Sequence, residues 1–296
     1  MIRNTNDGSQ AAPAMRCYLN LMSLEAMDGF PAGPHVTDAK ARLAAIKEAG
    51  YDGVQFIDKV SAAEIRACES LGLGRASLGR VNEPIEADEF AERMAAEGQE
   101  CATVHVGWGL EDDDQAARLI EAVLAASAKY DLPIYVETHR ATIFQDMWRA
   151  AGFLKRFPEL RFNGDFSHWY TGQEMVYGGF ERKLKFIQPV LERVRFIHGR
   201  IGNPGCIQVN IDDGDESRHP YVGHFRQLWT AAFAGFLETA APGDHICFVP
   251  ELLAPRIYYA RTFPGSGGAL REESDRWRQS LVLRRIAREC FERAGG

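Results

Sequence analysis

Three kinds of feature are missing from this sequence, and each absence excludes a class of protein. No apolar run reaches the length of about 20 residues that a membrane-spanning helix needs. The N-terminal stretch MIRNTNDGSQAAPAM lacks the apolar core of a secretory signal. We therefore expect residues 1–14 to be a flexible polar leader and residues 15–296 to form a single domain. We also expect a cytoplasmic location and no membrane partner.

An excess of positive charge is also missing. The chain has 41 acidic and 34 basic residues, so its formal net charge is -7 with neutral histidines. Proteins that bind nucleic acids present a basic face to the phosphates. The acidic balance therefore argues against a nucleic-acid partner, although it leaves room for a local basic pocket.

Paired cysteines are the third absence. None of the six cysteines belongs to a CxxC motif. Cys17, Cys101 and Cys247 lie inside apolar runs, where a free thiol behaves as a small apolar side chain. We expect buried, unreactive thiols and no structural zinc site built on cysteine.

Eight short apolar runs alternate with helical patterns along the chain. The predicted strands cover residues 16–23, 53–57, 73–78, 101–106, 133–137, 160–165, 195–198 and 245–251. These runs are apolar throughout rather than at alternate positions, which is typical of parallel strands buried on both faces. Eight β-α units in 296 residues predict an α/β fold, a (β/α)8 TIM barrel with its active site on the loops that follow the strands.

An open doubly wound sheet is the main competing fold. It would need a glycine-rich phosphate-binding turn after the first strand, which the sequence LMSLEAMDGF does not provide. The predicted helices cover residues 37–49, 61–71, 87–97, 111–129, 142–157, 181–193, 220–239 and 270–292. A long loop rich in glycine, aspartate and asparagine covers residues 199–219.

Four of the apolar runs end on a side chain that can bind a metal ion. These residues are Glu137, Asp165, His198 and Glu251. If the strands are neighbours in one barrel, their side chains converge at its carboxyl end. Three carboxylates and one imidazole form a hard ligand set that suits Mn²⁺, Mg²⁺ or Co²⁺, with Zn²⁺ also compatible. The pattern predicts one divalent metal site.

Further candidates for the site follow the same strand ends, and each is also compatible with a purely structural role. His168 lies three residues after Asp165, where it could contact substrate or act as a further ligand. The expected substrate-binding residues are His105, His139, Arg200, Trp108 and Trp169. His105 could instead be a ligand or an outer-sphere donor, and His139 could orient Glu137. His219, in the long loop, is either another ligand or a helix cap.

The segments ETHR, GDFSHW, IHGRIG and PELL resemble the xylose-isomerase-like barrel superfamily, and the resemblance spans most of the chain. That group includes ketose 3-epimerases, inosose isomerases and dehydratases, and one family of apurinic endonucleases. In its sugar epimerases two glutamates, an aspartate and a histidine hold one Mn²⁺-type ion. Those positions match Glu137, Glu251, Asp165 and His198, and the substrate-contacting histidine matches His168. The epimerases' arginine lies farther past the histidine than Arg200 does.

The endonuclease branch resembles this chain less. It uses three zinc ions and has an Asp-Arg-His motif in the long loop, where this sequence has Ser217, Arg218 and His219. The missing aspartate and the acidic net charge both argue against that branch.

The leading functional hypothesis is a metal-dependent isomerase or epimerase of a small polyhydroxylated carbonyl compound. Glu137 and Glu251 would remove and return a proton next to the carbonyl, and His168 would steady the charge on oxygen of the resulting enediolate. The same first step fits a keto-sugar dehydratase or lyase. Metal-dependent phosphoester hydrolysis and a role as a non-catalytic binding subunit also stay open, because fold alone does not choose a function. The sequence is also compatible with a homo-oligomer.

Overall fold

Eight parallel strands form a closed barrel in a computed structural model that describes residues 2–57 and 59–296. A short strand β1 (Thr5–Asn6) precedes them and pairs antiparallel with the last barrel strand. The barrel strands are β2 (Ala14–Asn20), β3 (Gly53–Ile57), β4 (Gly74–Val81), β5 (Cys101–Val106), β6 (Ile134–Glu137), β7 (Phe162–Asn163), β8 (Val194–Gly199) and β9 (Asp244–Pro250). Each strand pairs with the next, and β9 pairs with β2, so the predicted (β/α)8 TIM barrel is confirmed.

Helices surround this barrel and connect its strands. They are α1 (Ala39–Glu48), α2 (Ala62–Leu71), α3 (Pro84–Ala96), α4 (Asp113–Lys129), α5 (Met147–Arg156), α6 (Phe166–Gly172), α7 (Phe180–Leu191), α8 (Pro220–Leu237) and α9 (Arg276–Gly295). A small hairpin of β10 (Thr262–Pro264) and β11 (Leu270–Glu272) precedes α9. Of the helices in the described residues, none is long and apolar enough to cross a membrane.

Inside the barrel, an apolar layer lies below a polar one. Successive side chains of a strand point to opposite faces, so residues two apart share a face. Tyr135 and Phe196 lie in the buried apolar cluster. Glu137 and His198 follow them by two positions and are also fully buried. The alternation of the strand therefore places a polar side chain directly above an apolar one, at the carboxyl end of the barrel.

The predicted elements agree with the structure except around the sixth strand and before the last helix. The helix predicted to begin at residue 270 begins at Arg276, because Leu270–Glu272 pair with β10 and Asp275 caps the helix. Only Phe162 and Asn163 of the predicted strand 160–165 are paired in the sheet. Asp165 instead caps the short helix α6, because its carboxylate accepts a hydrogen bond from the Ser167 backbone amide. The helix predicted to begin at residue 142 begins at Met147, where Asp146 caps it.

The N-terminal segment, which we expected to be a flexible leader, packs against the amino-terminal end of the barrel in the structure. Ile2 is only 4% exposed, and Thr5 is buried with its hydroxyl 2.9 Å from the hydroxyl of Tyr135. Asn4 accepts a hydrogen bond of 2.6 Å from Arg195 and donates one of 2.7 Å to Asp244. These contacts close the floor of the barrel, and the polar composition of the segment concealed them.

Replacing Asn4 tests this packing. Asn4→Ala leaves the buried Nε of Arg195 without its acceptor, which should lower the free energy of unfolding by about 1–3 kcal/mol. Urea denaturation measures this change. Gln10→Ala, at an exposed position of the same segment, should change it by less than about 0.5 kcal/mol. Equal stability of the two variants would contradict the packed arrangement.

Candidate metal centre

The structure brings Glu137, Asp165, His198 and Glu251 together. Each offers one ligand atom, and these four atoms all lie within 4.8 Å of one another. Glu251 is 4% exposed and the other three are fully buried. Carboxylates that are buried away from water need hydrogen-bond donors, positively charged side chains or a cation to offset the loss of hydration.

His198 is held in the orientation of a metal ligand. Its Nε2 lies 3.0 Å from the Gln55 side-chain oxygen, which can only accept, so Nε2 carries a proton. Its Nδ1 lies 3.3 Å from Glu137 and 3.6 Å from Glu251, and no hydrogen bond to it forms within the described chain. Burial opposes charging this ring, but Glu251 and Glu137 raise the pKa of His198 to about 9. The imidazolium thus offsets part of the acidic charge when no cation is bound, and a cation would replace its Nδ1 proton.

Glu137 is held by one carboxylate oxygen and leaves the other without a partner. Oε2 accepts a hydrogen bond of 3.0 Å from the amide of Asn163, its in-register neighbour on β7. His105 Nε2 approaches the same oxygen at 3.2 Å. Oε1 is buried and accepts no hydrogen bond from any residue in the described ranges. Burial would raise the pKa of Glu137, but His198 and His105 hold it well below its usual value.

Asp165 has both carboxylate oxygens engaged. Oδ1 accepts hydrogen bonds from the backbone amide and the hydroxyl of Ser167, at 3.1 and 2.5 Å. Oδ2 pairs with the fully buried guanidinium of Arg200. Although burial opposes ionisation, Arg200 and His168 lower the pKa of Asp165. The carboxylate is therefore fixed as an anion.

Arg200 bridges Asp165 to Glu251. Its Nη1 lies 3.2 Å from Glu251 Oε2, while Asn20 donates a 3.0 Å hydrogen bond to Oε1. Burial raises the pKa of Glu251 in spite of these donors. Arg200 was predicted as a substrate contact, and the structure places it between two of the candidate ligands instead of on an open surface.

The donor set fits a divalent cation. Two of its atoms, Glu137 Oε1 and His198 Nδ1, are buried without a hydrogen-bond partner in residues 2–57 and 59–296. Each carboxylate oxygen has more than one lone pair, so the contacts of Arg200 leave coordination sites on Asp165 and Glu251. Three carboxylates and an imidazole are hard ligands of the kind that Mg²⁺ and Mn²⁺ take.

Three histidines stack beside this cluster. The His105 and His139 ring centroids are 4.1 Å apart, and those of His139 and His168 are 3.9 Å apart. His105, Glu137 and His139 form a second group whose ligand atoms lie within 4.8 Å of one another. This group adjoins the first one and shares Glu137 with it.

His168 leaves one ring nitrogen without a hydrogen-bond partner among the described residues. Its Nε2 lies 3.3 Å from Arg200 Nη2, which can only donate, and also 3.3 Å from Asp165 Oδ2. His168 Nδ1 is buried and makes no hydrogen bond within the described residues. Burial lowers the pKa of His168, so the ring is neutral.

The remaining predicted residues lie farther from the four ligands. Trp108 is 53% exposed and stacks on the guanidinium of Arg80. Trp169 is fully buried, donates its indole proton to the Phe144 carbonyl and offers no surface to a substrate in this conformation. His219 precedes α8 and pairs with Asp212 at 3.1 Å, and it belongs to neither candidate ligand group.

Sequence reasoning missed the residues that support the ligands. They are Asn20, Gln55, Asn163, Ser167 and Tyr259. Gln55 interrupts the otherwise apolar strand GVQFI, and that interruption was a usable signal. Tyr259 lies in a loop without periodicity, so no local pattern could have placed its ring over Arg200.

Gln55 provides a direct test of the metal centre. Gln55→Leu removes the acceptor that fixes the His198 tautomer, and it should weaken Mn²⁺ binding by about 10- to 100-fold in calorimetry. Gln55→Glu keeps an acceptor and should retain affinity within a few-fold. Gln99→Leu, at another buried glutamine, is the control for packing. Unchanged affinity in Gln55→Leu would remove His198 from the ligand set.

No protein-family model and no curated protein matches this sequence. Solved structures do match its fold. A D-tagatose 3-epimerase-like protein is 11% identical, with a TM-score of 0.59 and coverage of 95% of this chain and 98% of that one. The 3-keto-D-glucoside 4-epimerase of E. coli is 14% identical, with a TM-score of 0.53 and coverage of 92% and 98%.

A third match is a xylose isomerase-like TIM barrel protein from Mycobacterium smegmatis, solved in complex with magnesium. It is 14% identical, with a TM-score of 0.52 and coverage of 93% of this chain and 97% of that one. Identities this low establish likeness of fold and not of activity. The chain has the fold of the xylose isomerase-like TIM barrel proteins, as the resemblance of its sequence implied.

Proposed function

We propose that this protein is a divalent-metal-dependent isomerase or epimerase of a small sugar or keto-polyol. The observation that carries the proposal is the buried convergence of Glu137, Asp165, His198 and Glu251, with ligand atoms left unpartnered within the described structure. Two solved structures of the same fold are named as epimerase or epimerase-like, and a third is a complex with magnesium. Mn²⁺ or Mg²⁺ suits the ligand set best.

The two glutamates suit the two steps of a proton transfer, the removal of a proton and its return. A bound cation would polarise the carbonyl oxygen of the substrate as a Lewis acid. Glu137 has a free oxygen, Oε1, while Asn163 holds its other oxygen in place. Glu251 is held by Asn20 and Arg200, and its Oε1 lies 3.6 Å from the same His198 Nδ1 that Glu137 approaches. One carboxylate can remove a proton from the carbon beside the carbonyl, and the other can return it.

His168 would stabilise the oxygen charge of the enediolate. Its Nδ1 has no hydrogen-bond partner among the described residues, and Arg200 and Asp165 hold the ring at Nε2, so a proton on Nδ1 would be free to meet that oxygen. A donor that is positioned before the reaction stabilises developing negative charge without reorganisation. A leaving group on the next carbon would turn the same first step into a dehydratase reaction, so product analysis on keto-sugars distinguishes the two.

One observation favours a second candidate function, metal-dependent phosphoester hydrolysis. The His105, Glu137 and His139 group adjoins the main cluster and could hold another cation. His219, which would serve a third ion, pairs with Asp212 instead.

Metal content separates these functions. Elemental analysis of protein purified without chelator should find one divalent ion per chain. Two or three ions per chain would favour the hydrolase. One bound ion per chain in a protein that turns over no sugar would support a role as a non-catalytic binding subunit.

Glu251→Gln tests the assignment of the proton carrier. The variant should keep the fold and most of the metal affinity, because the amide still offers an oxygen. Exchange of the carbon-bound proton with D2O, followed by proton NMR on a panel of ketohexoses and keto-inositols, should fall by at least about 100-fold. Glu238→Gln, on the exposed end of α8, should exchange like the wild type. Full exchange in Glu251→Gln would reject this role for Glu251.

A further inference from the structure

Arg80 lies at the rim of the barrel mouth, and its hydrogen bonds within residues 2–57 and 59–296 go to backbone carbonyls and a histidine ring. Its Nη1 donates to the Gly107 carbonyl at 2.6 Å, and its Nη2 lies 3.3 Å from His105 Nδ1. The indole of Trp108 covers the guanidinium, 4.0 Å from the ring centroid. Burial lowers the pKa of Arg80, and the charges of Glu137 and Glu111 only partly offset this effect. The guanidinium is thus held in place and partly desolvated, and no carboxylate of the described residues lies within ion-pair distance of it.

Arg140 is the second such cation. It follows His139 in the chain, is exposed, and lies with its guanidinium 4.8 Å from the ring centroid of Tyr259. The Tyr259 hydroxyl is 3.3 Å from His139 Nε2, and Arg200 lies 4.6 Å from the same ring. Tyr259 therefore connects an exposed arginine at the rim with the buried arginine of the metal centre.

Other arginines on the same loops are paired. Arg256 forms a two-bond pair with Glu25, and Arg261 lies 3.2 Å from Glu273. Within residues 2–57 and 59–296, Arg80 and Arg140 form no ion pair shorter than 4.0 Å. Arg80 and Arg140 are therefore two cations at this mouth that no ion pair of the described residues engages, and they can attract an anion.

The stacked histidines connect this rim to the reacting centre. Arg80 touches His105, and the stack continues through His139 to His168. A small molecule held by the rim arginines at one end would lie along this stack. Its other end would reach Glu137, whose carboxylate lies 3.2 Å from His105.

We propose that the substrate carries an acidic group, a carboxylate or a phosphate, that Arg80 and Arg140 bind at the rim. Guanidiniums match the oxygens of both anions and make charge-assisted hydrogen bonds to them. This inference rests on the proposed function and narrows its substrate to sugar acids and sugar phosphates. The anion site itself, however, can be tested without turnover.

The first experiment measures anion binding to the purified protein by NMR of the tryptophan indole groups. Trp108 stacks on Arg80, so its signal, identified with Trp108→Phe, reports on the rim. Inorganic phosphate and acetate should shift it saturably at constant ionic strength, and chloride should not. Arg140→Gln should weaken phosphate binding by about 10- to 100-fold, which is the contribution of one charge-assisted hydrogen bond.

Matched variants keep this test decisive. Arg80→Gln should abolish the phosphate-induced shift of the Trp108 signal, and Arg80→Lys should retain part of that shift. Comparing the two variants separates loss of charge from loss of fold. Arg182→Gln, at an exposed position on α7, should bind like the wild type. The absence of a saturable shift, or an unchanged phosphate affinity in Arg140→Gln, would overturn the proposal even if the metal-dependent exchange reaction is found.

A second experiment distinguishes the two kinds of acid. D-glucose, D-glucuronate and D-glucose 6-phosphate would compete with inorganic phosphate for the Trp108 signal. At least one anionic sugar should bind about tenfold more tightly than D-glucose, and Arg140→Gln should remove that preference. A preference for glucuronate indicates a sugar acid, and a preference for the phosphate ester indicates a sugar phosphate. Equal competition by all three, or by none, would contradict the proposal.

Discussion

The structure depends on holding three carboxylates together in a place that water does not reach. Glu137 and Asp165 are fully buried and Glu251 is nearly so, and isolated charges at such depth are costly. The chain offsets this cost with the charges of Arg200 and His198 and with the amide donors of Asn20 and Asn163. Two atoms of the site, Glu137 Oε1 and His198 Nδ1, are left without a hydrogen-bond partner in the described residues, and both are atoms that a divalent cation could take.

Barrel geometry produces this arrangement from a simple alternation. On β6, β8 and β9, an inward apolar residue comes two positions before an inward ligand: Tyr135 before Glu137, Phe196 before His198, and Val249 before Glu251. Apolar packing therefore closes the lower barrel and polar groups fill its mouth. Asp165 reaches the same point differently, because it follows Gly164 and caps the first turn of α6. The rim arginines lie farther out, Arg80 near the end of β4 and Arg140 in the loop after β6.

Much of this could be predicted from sequence, and the exceptions have physical causes. The parallel barrel and the four candidate ligands could be predicted from apolar runs that end on titratable residues. The end of a strand can be recognised from the local sequence pattern alone. The helix α6 and the packed N-terminal segment were not predicted. The apolar run 160–165 indicated a strand that continues to Asp165, and Asn4 finds its partners 191 and 240 residues away. The contacts of Arg200 and Tyr259 were not predicted because they join residues far apart in the sequence. Arg200 contacts Glu251, 51 residues away, and Tyr259 contacts His139, 120 residues away.

The most direct test of the central claim is the anomalous scattering of Mn²⁺ in crystals grown with that ion. One strong peak should appear within coordination distance of Glu137, Asp165, His198 and Glu251, with His198 bound through Nδ1. A crystal saturated with Mn²⁺ that shows no peak among these four side chains, with Arg200 still joining Asp165 to Glu251, would contradict the account.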